Sequence, residues 1–257
     1  MRIDNELTNV AQRFHITKVN KRSHDETIKW HEHTDHLAQQ MFHQQEKALN
    51  NIRRSTFLKA NSIFNEKRVL EHRFSEIEYS PKMQLKVNKV REVMADYIKG
   101  KRYNFIMQGR AGTGKTLLAS CLINYLNQAT HIPCLFIDAS MYSKLALSMN
   151  ERDLIKEHSR FQQVNHAIKK AQVIVLDDFG SDTDMKVDVH DANNTIQKAL
   201  FDFGNMTQDK AVVITTNNTG AELSTMYNPK IISRLLTMNS NHILNFDDLS
   251  DYRIAHN

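Results

Sequence analysis

Eight consecutive residues constrain this chain more than any other feature: Gly109-Arg110-Ala111-Gly112-Thr113-Gly114-Lys115-Thr116, which fit the pattern G-x-x-x-x-G-K-[ST]. Glycines let the backbone wrap closely around phosphate oxygens, with amide N–H groups turned inward. A helix that starts at the end of such a loop adds the positive end of its dipole. The lysine then reaches the β- and γ-phosphates, and the threonine hydroxyl is placed to ligate Mg²⁺. The flanks agree with this reading. Phe105-Ile106-Met107 has the apolar character of a strand before the loop, and Leu117-Leu118-Ala119-Ser120-Cys121-Leu122-Ile123 that of a helix after it. Gly109 to Leu117 are therefore the candidate nucleotide-binding residues, with ATP and Mg²⁺ as the implied ligands.

The chain around the loop alternates. Strand candidates are 104–108, 134–138, 173–176, 211–216 and 242–246, with helix candidates at 115–126, 141–147, 151–170, 192–203 and 229–236 between them. Strands alternating with helices predict βαβ units and a parallel sheet covered on both faces. Two of the strands end in residues with chemistry. Val173-Ile174-Val175-Leu176 runs into Asp177-Asp178-Phe179-Gly180, and in open α/β sheets ligands bind beyond the carboxyl ends of the strands. Asp177 is the candidate Mg²⁺ ligand beside Thr116. Asp178 is the candidate for orienting and deprotonating an attacking water. Ala211-Val212-Val213-Ile214 ends in Thr215-Thr216-Asn217; Asn217 has an amide that suits a γ-phosphate or the water, and Asn218 stands next to it as a competitor. Arg234, in a short helix opened by Pro229, and Arg253, near the C-terminus, read on their own as surface arginines.

The first part of the chain differs in kind. Every glycine lies at or beyond Gly100, and the first proline is Pro81. A stretch without either breaker, rich in Gln, Glu, Lys, Arg and His, is predicted to be helical. Ser23 and Glu26 have the spacing of a capping box. Leu37, Met41, Phe42 and Leu49 make a thin apolar stripe. We divide the chain into residues 1–75, a small, basic, helical partner-binding domain or arm, and residues 76–257, the nucleotide-binding domain. The net charge is +5. Thirteen basic residues against nine acidic ones place most of that charge before residue 76, which is compatible with nucleic acid or an acidic protein as partner. The cluster His31-Glu32-His33-Thr34-Asp35-His36 does not meet the zinc-protease spacing, which would need histidine where Asp35 stands. Two cysteines, Cys121 and Cys134, cannot build a disulfide framework or a four-cysteine zinc site. No apolar run approaches the ~20 residues of a membrane span, and the N-terminus has no secretory pattern. The expected location is the cytoplasm, with no membrane partner.

Taken in order, the motifs resemble those of the AAA+ helicase loaders of the DnaC/DnaI type, bacterial or phage, which are related to IstB-type ATPases. The residues that carry the resemblance are Gly109 to Thr116, Val173 to Gly180, Ala211 to Asn217, Ile231-Ile232-Ser233-Arg234-Leu235 and Asp251-Tyr252-Arg253. It covers roughly residues 55–257. Phe57 to Phe64, then Arg73-Phe74, look like the segment that enters the ATPase domain. The resemblance implies an AAA+ P-loop ATPase: a five-stranded parallel sheet flanked by helices, with the strand ending at Asn217 lying between the strands of the two phosphate motifs. It makes Asn217 the sensor 1 residue, Arg234 an arginine finger acting on ATP of a neighbouring subunit, and Arg253 a sensor 2 residue acting within its own subunit. Asp178, Asn217, Arg234 and Arg253 are then the catalytic candidates, and the protein self-associates through the ATP site. The implied partners are a hexameric replicative helicase, held by the N-terminal part, and single-stranded DNA. For the DNA, the stretch from Met141 to Lys170 offers Lys144, Arg152, Lys156, Arg160, Lys169 and Lys170, with Tyr142 and Phe161 as aromatics.

Three departures from the family pattern matter. Asp178 stands where glutamate is common, one methylene shorter, so hydrolysis is expected to be slow and stimulated by DNA or a partner. Lys230 stands where a further arginine is common. The N-terminal part lacks the cysteines that bind zinc in one branch, so no structural zinc is expected. The alternative reading is an IstB-type transposition helper ATPase, which shares the motifs but binds duplex DNA and a transposase.

Overall fold

The computed structural model describes residues 24–65, 67–77, 80–130, 132–149, 154–181, 189–237 and 239–251. Five strands form one parallel sheet: β1 (Asn104–Gln108), β2 (Cys134–Asp138), β3 (Val173–Asp177), β4 (Ala211–Thr216) and β5 (Ile243–Asn245). Their spatial order is β2-β3-β4-β1-β5. β4 thus enters between β1 and β3, with Phe105 opposite Val213 on one side and Val175 opposite Val213 on the other. This is the AAA+ P-loop arrangement that the resemblance implied.

Strands β1 to β4 are buried on both faces, which explains why they read as apolar runs rather than alternating ones. Phe105, Met107, Phe136, Val173, Val175 and Val213 pack into the layer holding α2 (Pro81–Ile98) and α3 (Lys115–Ala129). Ile106, Leu135, Ile137, Ile174, Leu176 and Ile214 pack into the opposite layer, with α4 (Ala139–Ser148), α5 (Ile155–Lys170) and α6 (Val189–Met206). Each fully buried side chain of this kind stabilises by about 1.5–3 kcal/mol relative to an exposed one. The helix starts are written locally. Ser80 accepts from Met83 N ahead of Pro81 and begins α2. Asp138, the last residue of β2, accepts from Met141 N and begins α4.

Two short helices follow β4: α7 (Gly220–Met226) and α8 (Pro229–Leu235). The sequence reading expected α8 and not α7. Its signal is nevertheless present, because Thr219 and Glu222 cap each other reciprocally.

Ahead of the sheet runs α1 (His24–Asn61). The sequence reading drew a boundary at residue 75; the chain divides after Leu49, into units Met1–Leu49 and Asn50–Asn257. In the first unit the described part of α1 is exposed, and Phe42 keeps 70% of its surface in solvent. In the second unit, Leu58, Ile63, Val69 and Ile77 are core residues. Residues 57–65 and 67–77 are built into the nucleotide-binding domain because their apolar side chains have a core to pack on. Ile63 pairs with Ile137 at the rim of β2. Ser23, the expected helix cap, lies outside the described residues. Cys121 and Cys134 are free and buried, and burial pushes the Cys121 thiol up to about 12. Among the described residues, no helix is long and apolar enough to cross a membrane.

Candidate nucleotide site

At the carboxyl ends of β1, β3 and β4 the surface opens into a cleft of about 480 Å³, floored by Gly112 to Leu117. That volume lies in the range of small-molecule sites. The loop leaves β1 at Gly109, whose backbone has φ 147°; a Cβ there would lie 2.9 Å from Phe246 Cβ. Gly112, at φ 74°, faces Asp251, and any Cβ would run into that carboxylate. Both positions need glycine for conformation and for space. The loop passes into α3 at Gly114, leaving the first helical amides directed toward the cleft.

Lys115 is only 6% exposed. Its ammonium donates to Gly109 O at 2.6 Å, Arg110 O at 2.7 Å and Asn217 Oδ1 at 2.8 Å. Asn217 passes the connection on, its Nδ2 donating to Asp178 Oδ1 at 3.1 Å. A second chain of bonds runs beside the first. Thr116 Oγ1 donates to Asp177 Oδ1 at 3.0 Å, and Thr215 Oγ1 donates to the same oxygen at 2.5 Å. Thr215 Oγ1 also accepts from Asp178 N at 2.8 Å. Asp178 has φ 57°, unusual for a residue with a side chain. That turn points the two adjacent carboxylates at different partners.

The site is acidic. Burial pushes the Asp177 carboxyl up to about 6; the hydroxyls of Thr215 and Thr116 pull it down, and the charges of Asp178 and Asp138 push it up further. Asp138 pairs with Asp177 across β2 and β3. Its carboxyl is also raised, first by burial, while the Met141 amide bond opposes the shift. Asn65 Nδ2 donates to Asp138 Oδ2 at 3.0 Å, so the segment after α1 reaches the cleft, and Phe64 lines it. A hydroxyl and a buried carboxylate held 3.0 Å apart are hard oxygen donors of the type Mg²⁺ takes, so Thr116 and Asp177 fit that ion.

The structure thus brings together Gly109 to Thr116, Asp177, Asp178 and Asn217. It does not bring Arg234 to them. Arg234 lies on α8, with its guanidinium carbon 4.4 Å from the centre of the Phe201 ring, and it is not among the residues lining the cleft. Arg253 lies outside the described residues. Asn218, the competitor of Asn217, donates instead to Gly180 O. Sequence reasoning missed Thr215, Asp138, Asn65 and Phe64. The only signal for Thr215 was the polar ending of an aliphatic strand, and its value depends on β4 lying beside β3.

The expected DNA stretch is corrected in part. Tyr142 is fully buried, its hydroxyl donating to Asn165 Oδ1, and Phe161 packs against it at 5.4 Å. Tyr142 cannot stack on a base, and Phe161 is taken up in this packing. Arg160 donates to Ala60 O and Ser62 O, both at 2.9 Å. Half-exposed, it satisfies carbonyls at and just after the end of α1. Lys144, Lys156, Lys169 and Lys170 are exposed, and Arg152 lies outside the described residues.

The fold and this cleft define a P-loop nucleotide-binding protein. The family described as IstB-like ATP binding protein matches residues 6–248. The chain belongs to that family, whose members bind ATP. Several solved structures share the fold. DnaI is 17% identical, with 78% of this chain and 99% of that one covered at a TM-score of 0.52. The DnaC helicase loader is 21% identical, with 71% and 100% covered at 0.50. Domain III of the Thermotoga maritima replication initiation protein DnaA is 18% identical, with 72% and 69% covered at 0.50. No curated protein matches the sequence.

Proposed function

We propose that this protein is a nucleotide-controlled loading factor: it binds a hexameric replicative helicase, places it on single-stranded DNA, and uses ATP binding and slow hydrolysis as the switch. The observation that carries the switch is the bonded chain from Lys115 through Asn217 to Asp178. It links the ammonium that would meet the γ-phosphate to the carboxylate that would take a proton from water. Replacing a triphosphate by a diphosphate changes the partner of Lys115 and so the freedom of Asn217 and Asp178.

In this reading the loop amides from Ala111 to Thr116 and the ammonium of Lys115 hold the phosphates. Thr116 and Asp177 would hold Mg²⁺, which when bound would offset phosphate charge. Asp178, with its backbone fixed by Thr215, orients the attacking water and accepts its proton, and Asn217 positions both. Arg234 acts on ATP held by a second copy, because its place on α8 keeps it from the cleft of its own chain. Arg253 acts as the sensor 2 residue. The basic residues before Asn50, with exposed Leu37, Met41 and Phe42, form the surface that takes the helicase. The similarity to a helicase loader over that whole chain supports the loading role.

A second reading has its own support, since the matching family is described as IstB-like: a transposition helper that binds duplex DNA and a transposase. One experiment separates them. The full-length protein is mixed with the hexameric helicase of its host, with ATP and without nucleotide, and mass is read by light scattering after size exclusion. A joint complex whose stability depends on nucleotide is expected. No complex in either state, together with tighter binding to duplex than to single-stranded DNA, would transfer the assignment to the second reading.

A further inference from the structure

Three residues of α6 share one face at spacings of three and four: Phe201, Gly204 and Asn205. Arg234 lies across that face. Its Nε donates to Asn205 Oδ1 at 2.7 Å, its Nη1 to Lys230 O at 2.7 Å, and its guanidinium carbon stands 4.4 Å from the centre of the Phe201 ring. The alkyl stem crosses Gly204 so closely that a Cβ there would lie 3.0 Å from both Cβ and Cδ of Arg234. Gly204 sits in helical backbone that any residue adopts, where glycine costs about 1 kcal/mol relative to alanine. Its use at this position is the close passage of Arg234.

The groups that hold Arg234 are all neutral: a ring, an amide oxygen and a backbone carbonyl. No carboxylate pairs with it among the described residues, and its Nη2 has no partner among them. A surface arginine serving stability would gain most from a carboxylate. This one is oriented without being neutralised. Fixing the side chain beforehand removes much of the ~2 kcal/mol of rotamer entropy that a free arginine would lose on engaging a ligand.

We propose that Phe201, Gly204 and Asn205 are positioning residues, forming a cradle that presents the Arg234 guanidinium, with its charge unspent, to the γ-phosphate of ATP on a second copy of this chain. The cradle rests on the reading of Arg234 as an arginine finger. The holding contacts come from α6 and α8, so the pose exists before any copy arrives.

The test uses full-length Phe201→Leu, Asn205→Ala and Phe201→Tyr, with Arg234→Ala as reference. Single-turnover and steady-state hydrolysis give kcat and KM; a titration gives ATP affinity, and a thermal melt checks folding. Phe201→Leu and Asn205→Ala are expected to lower kcat about 10- to 100-fold, as small misplacements of catalytic groups do, with KM, ATP affinity and melting unchanged. Phe201→Tyr keeps the ring face and should stay within about twofold of the parent. Mixing either defective variant with Lys115→Ala should restore turnover, because that protein supplies an intact cradle to the variant's own nucleotide. Parent-level kcat in both Phe201→Leu and Asn205→Ala, or a loss that mixing does not restore, would overturn the cradle. Parent-level turnover in Arg234→Ala would instead overturn the finger reading itself.

Discussion

The nucleotide cleft and the surface around Arg234 each hold a cation in a fixed place, by opposite means. Lys115 is buried and bonded to three oxygens, one of which leads to an acidic centre. Arg234 is half-exposed and held by neutral groups that leave its charge intact. In the proposed reading a phosphate and Asn217 compete for the same ammonium, so the cleft rearranges with the ligand it holds. The arginine surface has nothing to rearrange. In the proposed reading sensing and charge stabilisation are divided between two faces, and the division is closed only when two copies meet.

The sharpest way to break this comparison is Arg234→Ala. It should leave ATP affinity unchanged and lower kcat about 1,000-fold, at the lower end of what arginine fingers supply. Mixing with Lys115→Ala should restore part of the activity. If affinity fell as well, the arginine would belong to the same site as Lys115 and the division would fail. Lys115→Ala itself should weaken ATP binding about 100-fold, the loss of two charge-assisted bonds of about 1.5 kcal/mol each, as read by titration with a fluorescent ATP analogue.

Asp177→Asn probes the acidic side of the cleft. Its carboxyl is raised from 3.8 to about 6, chiefly by burial. Between those values the unfolded chain loses its proton first, so stability falls as pH rises, and above 6 the full cost is present: about 3 kcal/mol as an upper bound. The variant should therefore melt several degrees higher than the parent at pH 8, with the gap closing as pH is lowered through 6, while the Mg²⁺ dependence of ATP binding disappears. A lower melting point at pH 8 would contradict the burial argument.

Smaller effects sharpen the picture. Thr215→Val keeps the shape and removes a hydroxyl that serves both Asp177 and Asp178. A loss of about 1–3 kcal/mol in chemical denaturation is expected, with the pH midpoint of Mg²⁺-dependent binding moved upward because a bond that lowers the Asp177 carboxyl is gone. Arg160→Ala should cost about 1–2 kcal/mol through two uncapped carbonyls and leave single-stranded DNA affinity unchanged. A salt-dependent loss of DNA binding would instead return Arg160 to the nucleic-acid surface.

What was legible in the sequence follows a physical rule. All five strands and the loop at Gly109 to Thr116 could be read directly, three of the strands to the residue, because apolar strand runs and a glycine-rich turn are local requirements. Asp177 and Asn217 were legible as polar residues ending aliphatic runs. Thr215, Asn65 and Asp138 were not, because each matters through a neighbour far along the chain: Thr215 through β3, Asn65 through β2. The fate of Arg160 and Tyr142 was hidden for the same reason. Composition shows a cation and an aromatic ring, and only packing shows that both are already engaged. Helix α7 is the opposite case, since Thr219 and Glu222 carry its start in the letters themselves.

The segment after α1 has a further consequence, for the rims of the sheet. On the outer side of β2, Asp138 N donates to Ile63 O at 2.8 Å and Phe136 N donates to Ser62 Oγ at 2.9 Å, while Phe136 O accepts from Ile63 N. The opposite rim is β5, three residues long. An open sheet normally risks growing by strand addition from a neighbour's exposed backbone. Here one border is covered by Ser62 and Ile63, through a side-chain hydroxyl and the main chain, and the other is too short to template a partner. Strand addition from a second copy, the route to edge-to-edge aggregates, is disfavoured at both borders.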